Sequence, residues 1–188
     1  MEESKQKLTE KRLRRRVIAL TGFMGTGKTS VGRRLADRLG WSFVDTDVMI
    51  ETREQRSVAD IFAAQGEAYF RAREREAIAA ATALDRAVVA TGGGALLDEH
   101  NFDLLNQNAF LVCLTARAET ILMRTSGHTR PLLAGEDRGA RVRRLLAERA
   151  PVYGKVEHTI DTSNLSLDQV VDRIVALAES ETPSSPVK

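Results

Sequence analysis

Between Val17 and Ser30 the chain reads VIALTGFMGTGKTS, and this stretch limits the possible folds more than any other. Val17 to Thr21 is a mostly apolar run with the length of a buried β-strand. Gly22-Phe23-Met24-Gly25-Thr26-Gly27-Lys28-Thr29 then matches G-x-x-x-x-G-K-[ST], and a helical pattern runs from Thr29 to Leu39, closed by Gly40. Glycines let backbone N–H groups close around a phosphate tail without Cβ clashes, and the helix behind the loop adds the positive end of its dipole. Lys28 supplies a point charge for the β- and γ-phosphates, and the Thr29 hydroxyl a ligand for Mg²⁺. Strand before, helix after and all eight positions in place argue against a merely glycine-rich turn. They argue for nucleoside triphosphate binding.

Downstream, Phe43 and Val44 open a second strand that runs into Asp45-Thr46-Asp47. One carboxylate there can turn towards a metal and the other towards a second substrate. Asp47 can equally cap a helix beginning at Val48, and the phosphate loop upstream tips the reading towards function. Residues 48–84 are helix-rich and charged, with Ser57 placed to cap a segment and Asp60 in the capping-box position. From Glu67 to Leu84, Arg73, Arg75, Glu74 and Glu76 read as a solvated, ion-paired face. Arg71 directly follows Tyr69-Phe70 and is expected near the apolar side. Ala87 to Ala90 is a third strand ending in Thr91-Gly92-Gly93-Gly94, where bare backbone lets a ligand approach the sheet edge.

A helix over about 98–108, a strand from Phe110 to Thr115 and a helix from about Ala116 to Arg124 follow. The segment 125–139 contains Arg130 and reads as a lid over an active site. A helix from Arg138 is expected to end at Ala150, before Pro151. A strand at about His158 to Asp161, a loop Thr162-Ser163-Asn164 and a helix over about 166–179 complete the pattern, with 181–188 as a disordered tail. Alternating strands and helices predict one α/β domain over about 17–180, a five-stranded parallel sheet flanked by helices on both faces.

The remaining composition narrows the class. A hydrophobic content of 43% with 29% charged residues is ordinary for a globular chain. No apolar run of about 18 residues and no signal-peptide pattern is present, so neither a membrane span nor export is expected, and the cytoplasm is the expected compartment. The single Cys113 excludes an intramolecular disulfide and reads as a small core residue. Residues 1–16 hold seven Lys/Arg against three Glu, a surplus of +4 that leaves −2 for the rest of the +2 total. This basic arm has no aromatics to stack on bases, and no nucleic-acid or membrane partner is expected from it.

A phosphate loop is shared by kinases, switches and motors. No Asn-Lys-x-Asp base-reading motif and no strand ending in Asp-Glu is found, which leaves a kinase of small molecules with an arginine-bearing lid. GFMGTGKT, Asp45-Thr46-Asp47, Phe70-Arg71, TGGG, Thr129-Arg130-Pro131-Leu132-Leu133 and Glu148-Arg149-Ala150-Pro151-x-Tyr153 together resemble the shikimate kinase family, over about Val17 to Ile174.

The resemblance implies transfer of the ATP γ-phosphoryl group to the 3-hydroxyl of shikimate, giving ADP and shikimate 3-phosphate in aromatic amino acid biosynthesis, by a monomer using ATP and Mg²⁺. On that resemblance Gly25, Thr26, Gly27, Lys28, Thr29 and Ser30 hold phosphates. Thr29 binds Mg²⁺ directly and Asp45 holds it through water. Asp47 contacts the reacting hydroxyl and is the candidate base. Arg71 and Arg149 grip the shikimate carboxylate, Gly93 and Gly94 meet substrate through backbone, Arg130 stabilises the transferring group and Arg124 stacks on adenine. Arginine forks suit a carboxylate better than lysines do. His100 and His158 read as structural or exposed, and His128 as a surface residue.

Overall fold

Val17–Thr21 (β1), Ser42–Asp45 (β2), Ala87–Ala90 (β3), Phe110–Thr115 (β4) and His158–Asp161 (β5) form one parallel sheet in the order β2-β3-β1-β4-β5. The computed structural model describes residue 13, residues 15–126 and residues 137–181. Arg130, His128 and most of the segment read as a lid lie outside these, as do residues 182–188 and most of 1–16.

The sheet is covered on both faces, which explains why its central strands β1, β3 and β4 read as near-continuous apolar runs. Val17, Ala19, Ala87, Val89, Leu111 and Cys113 share one core cluster with Ile78, Leu105, Ile121 and Val142. Those four come from helices Val58–Thr82 (α3), Glu99–Asn108 (α4), Ala118–Thr125 (α5) and Arg138–Tyr153 (α6). The intervening Ile18, Leu20, Val88, Val112 and Leu114 pack with Leu35 and Leu39 of Lys28–Leu39 (α1) and with Val171 and Ile174 of Leu167–Ser180 (α7). The period-2 alternation of strand side chains therefore assigns every second residue to each core. Leu13 is buried in the α1/α7 cluster, and Arg16 pairs with Asp85 at 2.7 Å, so the chain is already anchored before β1 begins.

Helix ends follow local chemistry. Gly40 closes α1 in the left-handed conformation. Ser166 and Gln169 form a reciprocal capping box on α7, and Ser57 accepts from the Asp60 N–H to start α3. Gly66 interrupts α3 with φ 79° and ψ 177°, a conformation reserved for glycine. One alternative is excluded and one expectation corrected. The helix Thr46–Glu54 (α2) is capped by Asp45, which accepts the Asp47 N–H at 3.1 Å, and not by Asp47. Helix α6 continues through Pro151 to Tyr153. Proline removes one backbone donor and crowds the carbonyl four residues back, but the next turn is held by the Gly154 N–H on Ala150 O at 2.9 Å and by the buried Tyr153.

At the exit of β1, Gly22 has φ 127°, and a Cβ there would lie 2.0 Å from the backbone oxygen of Leu114. The chain turns into the phosphate loop so close to β4 that only hydrogen fits. Gly22→Ala is expected to lose about 3 kcal/mol or more of stability, read as a lowered urea midpoint with an unchanged slope.

Candidate active site

The parallel sheet brings the C-terminal ends of β1, β2 and β3 to one edge, where open α/β sheets place their ligands. A cavity of about 1230 Å³ lies there, lined by Gly25 to Ser30, Asp45, Asp47, Gly93, Gly94, Arg124 and Arg149. In the phosphate loop Gly25 and Gly27 have φ 78° and 101°. The methyl of Thr125 packs so closely on Gly25 that an added Cβ would meet it at 2.8 Å. Lys28 folds its ammonium over the loop, donating to Gly22 O at 2.8 Å and Phe23 O at 3.0 Å. The Thr29 hydroxyl donates to Asp45 Oδ2 at 3.1 Å, which sets a neutral and an anionic oxygen side by side at the phosphate end. Hard oxygen donors in small number suit Mg²⁺, which keeps waters and phosphate oxygens as its other ligands.

The β3 exit explains its glycines one by one. A Cβ on Gly92 would lie 2.7 Å from Asp47 Oδ1 and 3.0 Å from Glu74 Oε1. One on Gly94 would lie 3.1 Å from Arg71, and one on Gly93 3.8 Å from Arg149. Four charged side chains therefore converge on three residues of bare backbone. Arg71 donates to Glu74 Oε2 at 2.7 Å and to Glu67 at 3.1 Å. Arg149, 8% exposed, donates to Gly93 O at 2.9 Å and lies 5.1 Å over the Phe23 ring. The Tyr153 hydroxyl donates to the same carbonyl at 2.6 Å. With that oxygen held by two donors, planarity leaves the Gly94 N–H on the opposite side of the peptide.

Glu74 is the buried site-edge carboxylate that the charged pattern of its helix concealed. It was expected on a solvated face and is 1% exposed. Its signal was positional: Phe70, Glu74, Ala77, Ile78 and Ala81 form the buried stripe of α3 at helical spacing. Its Oε1, like Asp47 Oδ1, is buried without a hydrogen-bond partner. Burial raises the Glu74 pKa against the pull of Arg71. Asp47 is raised from 3.8 to about 6, by burial first and then by repulsion from Asp45 and Glu74, with Lys28 opposing.

At the other end of the cavity Arg124 donates to Thr162 Oγ1 at 2.9 Å and to Thr162 O at 2.8 Å. Its edge is thus occupied and its planar face available for stacking. His158 stacks on Phe110 at 4.7 Å, and His100 is exposed, as expected of residues outside the site. Thus all the expected site residues except Arg130, which lies outside the described residues, line this cavity or, like Arg71, adjoin its glycine edge.

A family profile described as Shikimate kinase matches residues 24–179. The chain belongs to the shikimate kinase family. A shikimate kinase of Symbiobacterium thermophilum is 49% identical over 162 residues, 84% of this chain and 93% of that protein. One of Syntrophus aciditrophicus is 41% identical over 189 residues, covering 93% and 97%. Among solved structures, the shikimate kinase of Acinetobacter baumannii in complex with shikimate superposes with a TM-score of 0.84 at 37% identity, covering 92% of this chain and 96% of that one. The family match thus spans the phosphate loop, the glycine edge and α6 together.

The Asp47 shift has a consequence for stability. The unfolded chain releases this proton near pH 3.8 and the folded chain near 6, so the native state binds more protons between them. Stability is therefore lost as pH rises through that window. In metal-free buffer at pH 8, Asp47→Asn is expected to resist urea better than the parent, by up to about 3 kcal/mol. The gain should vanish at pH 4, and its absence at pH 8 would show that the carboxylate is not held at a cost.

Proposed function

We propose that this chain transfers the γ-phosphoryl group of ATP to the 3-hydroxyl of shikimate. The observation that carries the reading is the closure of Asp47, Arg71 and Arg149 on Gly92 to Gly94, beside the phosphate loop. A small polyol with one carboxylate asks for a cationic fork at one end and a hydrogen-bond acceptor at the other. Arg71 and Arg149 supply the fork, and Asp47 the acceptor.

With a pKa near 6, Asp47 is ionised at neutral pH yet more basic than an ordinary carboxylate. It orients the 3-hydroxyl towards the γ-phosphorus and receives its proton as the new P–O bond forms. In a loose phosphoryl transfer that proton moves late, so positioning is the larger share of its work. Lys28 turns its ammonium from the loop carbonyls to the β- and γ-phosphates. The N–H groups of Gly25 to Thr29, with Ser30 beside them, cradle the same phosphates. Thr29 and Asp45 would hold Mg²⁺, which would supply positive charge to offset that of the phosphates during transfer. Arg124 stacks on adenine. Arg130 is assigned to the transferring group on its Thr129-Arg130-Pro131-Leu132-Leu133 motif.

ADP release with MgATP, measured separately with shikimate, quinate, gluconate and a nucleoside monophosphate, tests the reading. Release driven by shikimate alone supports it, and none with shikimate refutes it. Arg71→Lys should raise the shikimate KM about tenfold or more while leaving the ATP KM within about twofold. Equal losses for both substrates would make Arg71 structural. Asp47→Asn should lower kcat by about 10²-fold or more with ATP binding kept; near-normal turnover would remove Asp47 from the mechanism.

A further inference from the structure

Thr162 begins the loop after β5, is 2% exposed, and makes contacts that join three separate parts of the cavity wall. Its hydroxyl lies 3.0 Å from Thr26 O in the phosphate loop and 3.1 Å from Thr115 O at the end of β4. The same oxygen accepts from Arg124 at 2.9 Å, and its own carbonyl accepts from the other arm of that fork at 2.8 Å.

A hydroxyl has one proton. With Arg124 donating into its lone pair, that proton faces the carbonyls, and a charged donor strengthens the outgoing bond. Thr115 O already accepts the Thr162 backbone N–H at 2.9 Å, so Thr26 O is the carbonyl with more to gain.

The bond to Thr26 O has a further effect. The Thr26–Gly27 peptide is trans and planar, so fixing its oxygen outward fixes the Gly27 N–H inward, towards the phosphate nest. Gly27 has φ 101° and no Cβ, so little else resists rotation of this peptide.

We propose that Thr162 is a positioning residue that couples the two ends of the nucleotide site. It sets the Arg124 plane for the base and the Gly27 N–H for the phosphates through one hydroxyl. This rests on the reading of the cavity as a nucleotide site.

The test is the dissociation constant of the full chain for MgATP and, separately, for Mg-tripolyphosphate, which has phosphates and no base. Thr162→Val keeps the shape and removes the hydroxyl; it should weaken ATP by about tenfold or more and tripolyphosphate by about threefold. Arg124→Ala should weaken ATP strongly and tripolyphosphate by less than Thr162→Val does, because the hydroxyl stays on Thr26 O but loses the charged donor that directs it. In the Arg124→Ala background, Thr162→Val should add at most the tripolyphosphate factor. Thr162→Ser should bind both probes within about twofold of the parent. The proposal is overturned if Thr162→Val leaves tripolyphosphate at the parental value, or if Thr162→Ser is as impaired as Thr162→Val, the sign of a packing role. Binding of neither probe by the parent chain would overturn the nucleotide reading beneath it.

Discussion

The parallel pairing of β1 with β3 is the contact on which the site depends. Leu20 lies beside Ala90, and the Thr91 N–H reaches Leu20 O at 3.0 Å, so the two strands end together. β1 runs directly into Gly22 and β3 through Thr91 into Gly92, and the two loops meet: a Cβ on Gly93 would lie 3.4 Å from the Met24 nitrogen. One backbone edge thereby carries the phosphate loop on one side and a bare glycine surface facing the cavity on the other. The neighbouring pairing of β2 with β3 sets Asp45 beside Ala90 and brings both carboxylates to that edge. Had β3 been antiparallel, its exit would lie at the opposite end of the sheet.

Charge is concentrated at this edge at a cost the cores sustain. Two carboxyl oxygens, on Asp47 and Glu74, point at the Gly92 backbone without partners. Glu74 is tied to Arg71, while Asp47 has Lys28 as its opposing charge. Such an arrangement holds only because the elements bearing it are fixed elsewhere, α3 through Ile78 and Ala81 in the main core, and α2 through Ile50 against Ile61 and Phe70. Unsatisfied polar atoms that a stable core tolerates are where a substrate's own donors fit best.

Much of this was legible in the chain. Ala87–Ala90 and Phe110–Thr115 were readable to the residue, because strands buried on both faces are short apolar runs bounded by turn formers. His158–Asp161, at the sheet edge with only Ile160 buried, was legible from its place in the alternation of strands and helices. Gly25 to Ser30 were legible from the phosphate-loop motif, whose spacing the backbone chemistry dictates, and Asp45 and Asp47 from their place at a strand end beside it. The roles of Arg71, Gly93, Gly94, Arg124 and Arg149 were legible only from the family resemblance. What escaped was decided by tertiary contact. Glu74 looks like its solvated neighbours until the helix phase is followed. Pro151 signals a helix end that the burial of Tyr153 overrides. Asp45 and Asp47 are chemically alike, and only the strand-to-helix turn decides which one caps α2. Thr162 carries no signal of its own, since its partners lie up to 136 residues away.

In the proposed reaction one glycine edge presents an acceptor hydroxyl to Asp47 while arginines hold the far end of the same molecule. A crystal structure of this chain with shikimate, ADP and Mg²⁺ tests it most directly. The 3-hydroxyl is expected within about 3.2 Å of an Asp47 carboxylate oxygen, with the shikimate carboxylate on Arg71 and Arg149. Shikimate bound with its 3-hydroxyl away from Asp47, or with its carboxylate on other residues, would contradict it.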